Sequence, residues 1–214
     1  MMHRFIALLG ANATGKSTRM NEYIKTLGDP DSVLDYHFHK NGEDIVLKSA
    51  GHIYGDMLIV GRHTRKGSWA GGDYTMGRLG SIVCIQEFFT HLDSIGIKTV
   101  VYEAFFGAAN SAYRPEQIHK YFEDSHCYWF LYDDIQDYID RTSNRSGRPW
   151  AERNKTPFDS AGWKGNLSFF KAFDKTTLEV VGTNSTVQRV SINAPRDWFI
   201  DEMKKLHNNG VLTL

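Results

Sequence analysis

The residues with the clearest chemical purpose lie near the amino terminus, where the chain reads GANATGKS from Gly10 to Ser17. The two glycines permit backbone conformations closed to other residues, so successive N–H groups can turn toward a phosphate. Lys16 would bring a positive charge to the β- and γ-phosphates, and the Ser17 hydroxyl would bind Mg²⁺. This Walker A spacing predicts a site for a nucleoside triphosphate such as ATP, with Mg²⁺. The predicted phosphate-binding residues are Gly10, Ala11, Asn12, Ala13, Thr14, Gly15, Lys16, Ser17 and Thr18.

The flanking sequence predicts the strand and the helix that such a loop requires. Residues 5–9 form an unbroken apolar run, which is typical of a parallel strand buried on both faces. Apolar side chains then recur at helical spacing from Met20 to Leu27, and Gly28 follows where that helix should end. A secretory signal is the competing interpretation of the apolar run. The run is shorter than the roughly 7–15 residues of a signal core, so we interpret it as a strand.

The composition is that of one domain of ordinary size. A chain of 214 residues can bury a substantial core. Lysine plus arginine and aspartate plus glutamate both number 25, so no net charge draws the chain toward nucleic acid or an anionic membrane. Cys84 and Cys127 lie in apolar stretches, which favours buried thiols in a reducing compartment. No apolar run approaches the roughly 20 residues of a membrane span, and we expect a cytoplasmic protein without a membrane partner.

Strand and helix patterns alternate along the rest of the chain. Strands are predicted at 33–39, 45–47, 57–60, 98–102, 127–132 and 186–192, and helices begin near 82, 115, 135, 167 and 195. Together they predict a single α/β domain over 1–214, with a central parallel sheet in three layers. A β-meander is expected at one edge of the sheet. The polar, arginine-rich segment 142–165 is expected to form a mobile lid.

Glu103 follows the predicted strand 98–102, and active sites in such folds lie at the carboxyl ends of the strands. A carboxylate beside the Walker A loop can accept the proton of an attacking hydroxyl, or bind Mg²⁺ through water. A surface glutamate at a strand end is the alternative. We predict a catalytic Glu103, because an apolar strand seldom ends in a charge that has no partner.

A second group of candidates precedes the helix near residue 82. Gly71 and Gly72 would let the backbone approach a ligand closely, and Asp73 could activate a substrate hydroxyl or merely cap a helix. Arg62 could hold a phosphate, and Tyr74 could stack on a base. We predict that these residues bind the substrate. Asp73 and Glu103 both stay open as the general base.

The third group consists of arginines in and beside the predicted lid. Arg141 and Arg145 are the candidates for stabilising the charge of a transferring phosphoryl group. Arg148, Arg153 and Lys155 follow along the same segment. A solvated basic loop is the alternative interpretation. The same positive charges could instead contact a nucleic-acid backbone.

These features together resemble the P-loop kinases of the nucleoside and nucleotide kinase group. The likeness rests on GANATGKS, on the strand-end carboxylate Glu103 and on the arginine-bearing residues 140–145. It implies a P-loop NTPase fold and phosphoryl transfer from ATP. The Asp-Gly-Phe-Pro-Arg type of substrate motif found in adenylate kinases is absent from the chain.

A narrower likeness is to bacteriophage kinases that phosphorylate 5-hydroxymethyluracil within DNA. It is carried by LIVGR at 58–62, followed by Gly71, Gly72 and Asp73. The resemblance implies that the acceptor is the hydroxymethyl group of the base, that the partner is DNA containing that base, and that the protein works in the host cytoplasm. An extruded base could meet the lid arginines and the basic stretch 62–66.

Three other functions remain open at this stage. The acceptor could be a free nucleoside or nucleotide, with the same chemistry. It could be the 5′-hydroxyl end of a polynucleotide. The third possibility belongs to another class of protein, a P-loop ATPase or nucleotide-binding switch in which water is the acceptor.

Overall fold

Seven strands form one sheet in the computed structural model, which describes residues 2–63, 71–104, 119–153, 156–180 and 185–208. The strands are β1 (Met2–Gly10), β2 (Ser32–Lys40), β3 (Glu43–Tyr54), β4 (Met57–Val60), β5 (Thr99–Ala104), β6 (Phe122–Phe130) and β7 (Thr186–Val190). Their order is β2-β3-β4-β5-β1-β6-β7. Strands β4, β5, β1, β6 and β7 are parallel, and β3 runs antiparallel to β2 and β4. The predicted α/β class is therefore confirmed.

Six α-helices lie in the described part of the chain. They are α1 (Lys16–Leu27), α2 (Gly72–Leu79), α3 (Ile82–Ser94), α4 (Ile135–Ser146), α5 (Ala161–Val180) and α6 (Trp198–Asn208). Three of them follow a polar residue that accepts a hydrogen bond from a backbone N–H, and before α5 this residue is Ser160, which accepts from Trp163 at 3.2 Å. Ser81 accepts from Cys84 at 3.2 Å before α3, and Asp134 accepts from Gln136 at 2.8 Å before α4. These bonds satisfy donors that the helix leaves unpaired.

The alternation of side chains along β1 divides the core into two layers. Phe5, Ala7 and Leu9 pack with apolar residues of α2, α3, α4 and α5 on one face of the sheet. Ile6 and Leu8 pack with residues of α1 and α6 on the other face. Residues 5–9 are completely buried, because β1 lies in the middle of the sheet between two helical layers. Both cysteines are free and buried, as predicted.

The predicted meander is present, but its third strand belongs to the central sheet. Strands β2 and β3 form the hairpin that turns at Asn41 and Gly42, and they lie at one edge. Strand β4 pairs antiparallel with β3 and parallel with β5. Strand β4 therefore connects the meander to the parallel sheet. Its carboxyl end points to the same side of the sheet as the carboxyl ends of β1 and β5.

Several predicted boundaries were wrong. The helix expected from 115 does not include Phe122, which begins β6, while residues 115–118 lie outside the described part of the chain. Helix α2 was not predicted. The expected loop 142–165 is helical at both ends, since α4 continues to Ser146 and α5 begins at Ala161. The last helix begins at Trp198, three residues after Pro195.

The described helices include none that is long and apolar enough to cross a bilayer.

A buried ion pair joins β1 to β6 at the amino ends of the strands. Arg4 donates from Nε and from Nη2 to the Asp124 carboxylate, each at 3.0 Å, and the two side chains are only 11% and 16% exposed. Replacing Asp124 by asparagine would leave a buried guanidinium without its charge partner. We expect a loss of about 3 kcal/mol in the free energy of unfolding, or about 6–12 °C in Tm for a chain of this size.

Thermal denaturation of Asp124→Asn measures this loss. Asp201→Asn is the control, because Asp201 pairs with Lys204 on the surface, where both side chains are more than half exposed and such a pair contributes less than about 1 kcal/mol. Equal Tm shifts in the two variants would contradict a stabilising role for the Arg4–Asp124 pair.

Candidate active site

Residues 10–15 curl tightly over the carboxyl end of β1. Gly10 has a φ of 132° and Gly15 a φ of 86°. A Cβ at Gly10 would lie 2.0 Å from the carbonyl oxygen of Phe130, and a Cβ at Gly15 would lie 2.5 Å from the guanidinium of Arg19. The backbone conformation disfavours a side chain at both positions, and at Gly10 the Phe130 backbone excludes one by sterics as well. The strand, loop and helix predicted for the Walker A sequence occur in that order.

Lys16 points back into the curl of the loop. Its ammonium donates to the carbonyl oxygens of Gly10 at 2.9 Å and Ala11 at 2.7 Å, and the residue is only 5% exposed. Burial lowers the pKa of Lys16, while the carboxylates of Glu103 and Asp73 act in the opposite direction. The loop thus encloses a cation whose hydrogen-bond partners are neutral, namely two carbonyls and, at 3.4 Å, the Thr14 hydroxyl. An entering phosphate would compete with those carbonyls for the ammonium.

Glu103 reaches the first turn of α1. Strand β5 pairs with β1 so that Glu103 lies opposite Leu8, two residues before Gly10. The Ser17 hydroxyl donates to Glu103 Oε1 at 3.1 Å, and Glu103 is 7% exposed. The structure therefore brings together the two side chains that the sequence separates by 86 residues.

The two glycines before Asp73 pack against the end of β5. A Cβ at Gly71 would lie 2.4 Å from Glu103 Oε2, and a Cβ at Gly72 would lie 2.0 Å from the ring of Tyr102. Gly71 and Gly72 were predicted to let the backbone approach a ligand closely. In the structure the backbone at these glycines approaches the end of β5. These glycines let α2 begin directly beside Glu103.

Asp73 lies in the first turn of α2 rather than at its cap. The N-cap residue is Gly71, and no side chain caps the helix. The Asp73 carboxylate is close enough to Lys16 to oppose the lowering of its pKa. Two carboxylates, from β5 and from α2, thus act on the buried ammonium.

The oxygen donors near Ser17 suit a small divalent cation. Mg²⁺ prefers carboxylate, hydroxyl and water oxygens, and it usually binds proteins through one or two carboxylates and substrate phosphates. Ser17 and Glu103 would hold it here. Within the described ranges, histidine, cysteine, aspartate and glutamate form no group of three or more that could bind a metal by itself. Two histidines that share one face of β2, His37 and His39, are exposed, and they belong to no group of three possible metal ligands among the described residues.

Arg62 and Tyr74 contact each other. The Arg62 guanidinium lies 3.8 Å from the centroid of the Tyr74 ring and donates from Nη2 to the carbonyl of Lys48 at 2.8 Å. The two predicted substrate residues therefore form one surface between β3 and α2. Trp69 and residues 64–66 lie outside the described part of the chain.

Arg141 and Arg145 lie four residues apart on α4, so they share one face of the helix. Arg141 donates from Nη2 to Asn193 Oδ1 at 2.6 Å. The charge of Arg145 contributes to the lowered pKa of Lys16, which places this arginine near the loop at residues 10–15. Arg145 therefore lies near Lys16, while Arg141 is bound to the turn after β7 and is close enough to Arg19 to lower its pKa.

The remaining lid residues have other surroundings. Arg153 donates to the carbonyl of Thr142 at 3.0 Å and to Ser146 Oγ at 2.6 Å, and its guanidinium covers the ring of Trp150. It closes the turn after α4. Arg148 is exposed, and Lys155 lies outside the described residues.

Three residues that support the loop were not predicted. The Tyr132 hydroxyl donates to the carbonyl of Asn12 at 2.8 Å. Completely buried Asn166 pairs with the backbone of Tyr132, accepting from its N–H and donating to its C=O, both at 2.9 Å. Arg19 bonds the loop at Thr14. The sequence carried a signal for two of them. Asn166 lies at helical spacing between buried Trp163 and Phe169 in α5, and Arg19 lies at helical spacing with buried Lys16, Met20 and Tyr23 in α1.

Sequence comparisons leave the family open: no model of a known protein family matches the chain, and no curated protein is significantly similar to it.

Two histidines lie on the β4 side of Glu103, His52 buried and His63 half-buried. His52 on β3 is 6% exposed, and neither ring nitrogen has a hydrogen-bond partner within the described residues. His63 follows β4 and places Nε2 3.0 Å from the carbonyl of Val60, which requires Nε2 to carry the proton. Burial is the main cause that lowers the pKa of each. Both histidines are therefore uncharged in the folded protein at pH 7.

The lowered pKa of His52 predicts how stability depends on pH. Below its ordinary value of 6.5 the unfolded chain takes up a proton at His52 that the folded protein resists, so stability falls as the pH drops through 6.5. Urea denaturation at pH 7.5 and pH 5.5 should show a smaller difference for His52→Leu than for the wild type. His37→Leu, at an exposed position, should retain the wild-type difference. If the two variants behaved alike, burial of His52 would not be the cause.

Proposed function

We propose that this protein is a kinase that transfers the γ-phosphoryl group of ATP to a hydroxyl group of a nucleic acid or nucleotide. The observation that carries the proposal is the 3.1 Å hydrogen bond from Ser17 to Glu103, beside the buried ammonium of Lys16. A carboxylate there can serve an acceptor hydroxyl on the same side as the phosphates. An ATPase or switch would use the same carboxylate to orient water as the acceptor, so the acceptor panel below decides between the two classes.

The proposed roles follow from the positions of the side chains. Lys16 and the loop amides hold the phosphates, and Ser17 and Glu103 would hold Mg²⁺, which would neutralise phosphate charge. Glu103 or Asp73 accepts the proton of the acceptor hydroxyl as its oxygen bonds to the γ-phosphorus, and the bond from that phosphorus to the β–γ bridging oxygen breaks to release ADP. Arg141 and Arg145 stabilise the charge on the transferring group.

The distribution of charge supports an acceptor hydroxyl that carries no phosphate of its own in the pocket. Arg145 on α4 is close enough to Lys16 to lower its pKa, and Arg141 lies one turn away on the same helix. On the β4–α2 side the carboxylates of Glu103 and Asp73 face the loop, and Arg62 is held by Lys48 and Tyr74. An uncharged hydroxyl fits this side better than a nucleotide phosphate. Together with the sequence likeness, this favours the hydroxymethyl group of 5-hydroxymethyluracil in DNA as the acceptor.

The mechanism predicts two different losses from two substitutions. Lys16→Ala should lower phosphoryl transfer by a factor of about 10²–10³, because it removes the charge that stabilises the transferring group. Glu103→Gln should lower the rate by a factor of about 10²–10⁴ if Glu103 rather than Asp73 is the general base, while binding of a non-hydrolysable ATP analogue persists. Transfer of labelled γ-phosphate and equilibrium binding of the analogue measure the two effects.

Matched controls for these substitutions lie further along α1. Lys25 and Glu22 pair with each other at 2.8 Å at the surface, so Lys25→Ala and Glu22→Gln should retain full activity. Full transfer by Lys16→Ala would overturn the kinase proposal.

An acceptor panel distinguishes the candidate substrates. DNA containing 5-hydroxymethyluracil should be labelled on the modified base, whereas unmodified DNA with phosphorylated ends should not be labelled. Labelling of 5′-hydroxyl ends without the modified base would indicate a polynucleotide end kinase, and labelling of free nucleosides or nucleotides would indicate a small acceptor. Phosphate release that no acceptor changes would indicate an ATPase or switch.

A further inference from the structure

We propose that Arg19 is a positioning residue that ties the phosphate loop to residues 191–195 and, through Asn193, sets the position of Arg141. The proposal rests on the proposed kinase function, in which Arg141 acts on the transferring group. It assigns a role to a buried cation that the mechanism above does not use.

Arg19 donates hydrogen bonds to backbone carbonyls in two separate segments of the chain. Nη1 donates to Thr14 in the phosphate loop at 3.1 Å. Nη2 donates to Ile192 at 3.2 Å and also to Ala194, and Nε donates to Pro195 at 3.2 Å. One guanidinium therefore joins the loop after β1 to the turn after β7, although they are about 180 residues apart in sequence.

The surroundings of Arg19 hold it in one orientation. The residue is 5% exposed, and its guanidinium lies 4.9 Å from the centroid of the Phe130 ring. Gly15 leaves the space that the guanidinium occupies, since a Cβ there would meet Nη1 at 2.5 Å. Only a planar group with several fixed donors can serve these carbonyls together, and a lysine ammonium cannot reproduce that geometry.

The turn after β7 connects Arg19 to Arg141 on α4. Within the turn, the N–H of Ala194 donates to the Ser191 carbonyl at 3.0 Å, and the N–H of Asn193 donates to Ser191 Oγ at 3.1 Å. Asn193 Oδ1 accepts the 2.6 Å hydrogen bond from Arg141. The Arg141 guanidinium is thus located by a side chain whose own backbone is fastened to the phosphate loop. A misplacement of about 1 Å can cost a factor of about 100 in rate, so the fastening matters for transfer.

Asn193 offers the cleanest test, because it is exposed and its replacement leaves the core intact. Asn193→Ala should lower kcat for labelled-phosphate transfer by about 10-fold or more with little change in the KM for ATP. Asn193→Asp keeps an acceptor oxygen for Arg141 and should restore kcat to near the wild-type value. Wild-type kcat in Asn193→Ala, with a large loss in Arg141→Ala, would overturn the proposal.

Arg19→Lys tests the other end of the connection. Its matched control is Arg189→Lys, because Arg189 also covers a phenylalanine ring, Phe170 at 4.8 Å, but pairs with Asp133. Arg19→Lys should lower kcat about as much as Arg141→Ala, and the double variant should lose no more than Arg141→Ala alone. Independent effects that multiply in the double variant would contradict the connection.

Hydrogen exchange separates failure of this inference from failure of the kinase proposal. The amides of Asn193 and Ala194, which donate to Ser191 within the turn, should exchange faster in Arg19→Lys than in Arg189→Lys or the wild type, whatever the protein's activity. If wild-type protein transferred no phosphate but this difference appeared, the kinase proposal would fail and the structural connection would stand. Unchanged exchange in Arg19→Lys would reject the connection itself.

Discussion

The candidate site depends on the position of β1 between β5 and β6. In this register Glu103 lies opposite Leu8, and Phe130 lies opposite Gly10. The loop at residues 10–15 can therefore begin only where a residue without a side chain passes the Phe130 carbonyl. The same arrangement brings the carboxylate of β5 to the first turn of α1. A parallel sheet thus converts three distant stretches of sequence into one edge where a ligand can bind.

Buried charges at this edge are held by hydrogen bonds to the backbone. Lys16 and Arg19 are each only 5% exposed, and the hydrogen bonds found for them go mainly to carbonyl oxygens. Carbonyls satisfy the donors without neutralising the charge, so the positive potential persists where a phosphate would enter. Glu103 and Asp73 moderate that potential from one side. The site therefore combines the buried positive charges of Lys16 and Arg19 with the nearby carboxylates of Glu103 and Asp73.

Local signals in the sequence were enough to predict most of the fold. The apolar run at 5–9, the hairpin at Asn41 and Gly42, and the glycine after α1 each reflect a short-range preference that the tertiary structure retains. Helix α2 was missed because Gly71 and Gly72 suggest a loop. Their real reason is the contact with Tyr102 and Glu103, which no local pattern contains.

The candidate site was predictable to the extent that its residues follow strands. Glu103 lies near the end of β5, and Arg141 and Arg145 lie on α4, the helix after β6, so strand order places them. Arg62 and Tyr74 were predicted as ligands, but their contact with each other depends on how the meander meets α2. Arg19 and Asn166 escaped prediction because a polar residue in an apolar stripe reads as a break in the pattern. Their partners are backbone carbonyls and amides, which every residue carries and no sequence motif marks.

A balanced total charge is compatible with a highly anionic ligand. Charges more than about 10 Å apart are largely screened in physiological salt, so the ligand responds to the local arrangement and not to the sum over the chain. Here Lys16, Arg19, Arg141 and Arg145 collect over one end of the sheet, while acidic groups such as Asp124 and Asp201 are paired elsewhere. Steering by this local field should weaken with added salt. The sequence-wide balance of 25 positive and 25 negative residues therefore excludes only a global affinity for polyanions.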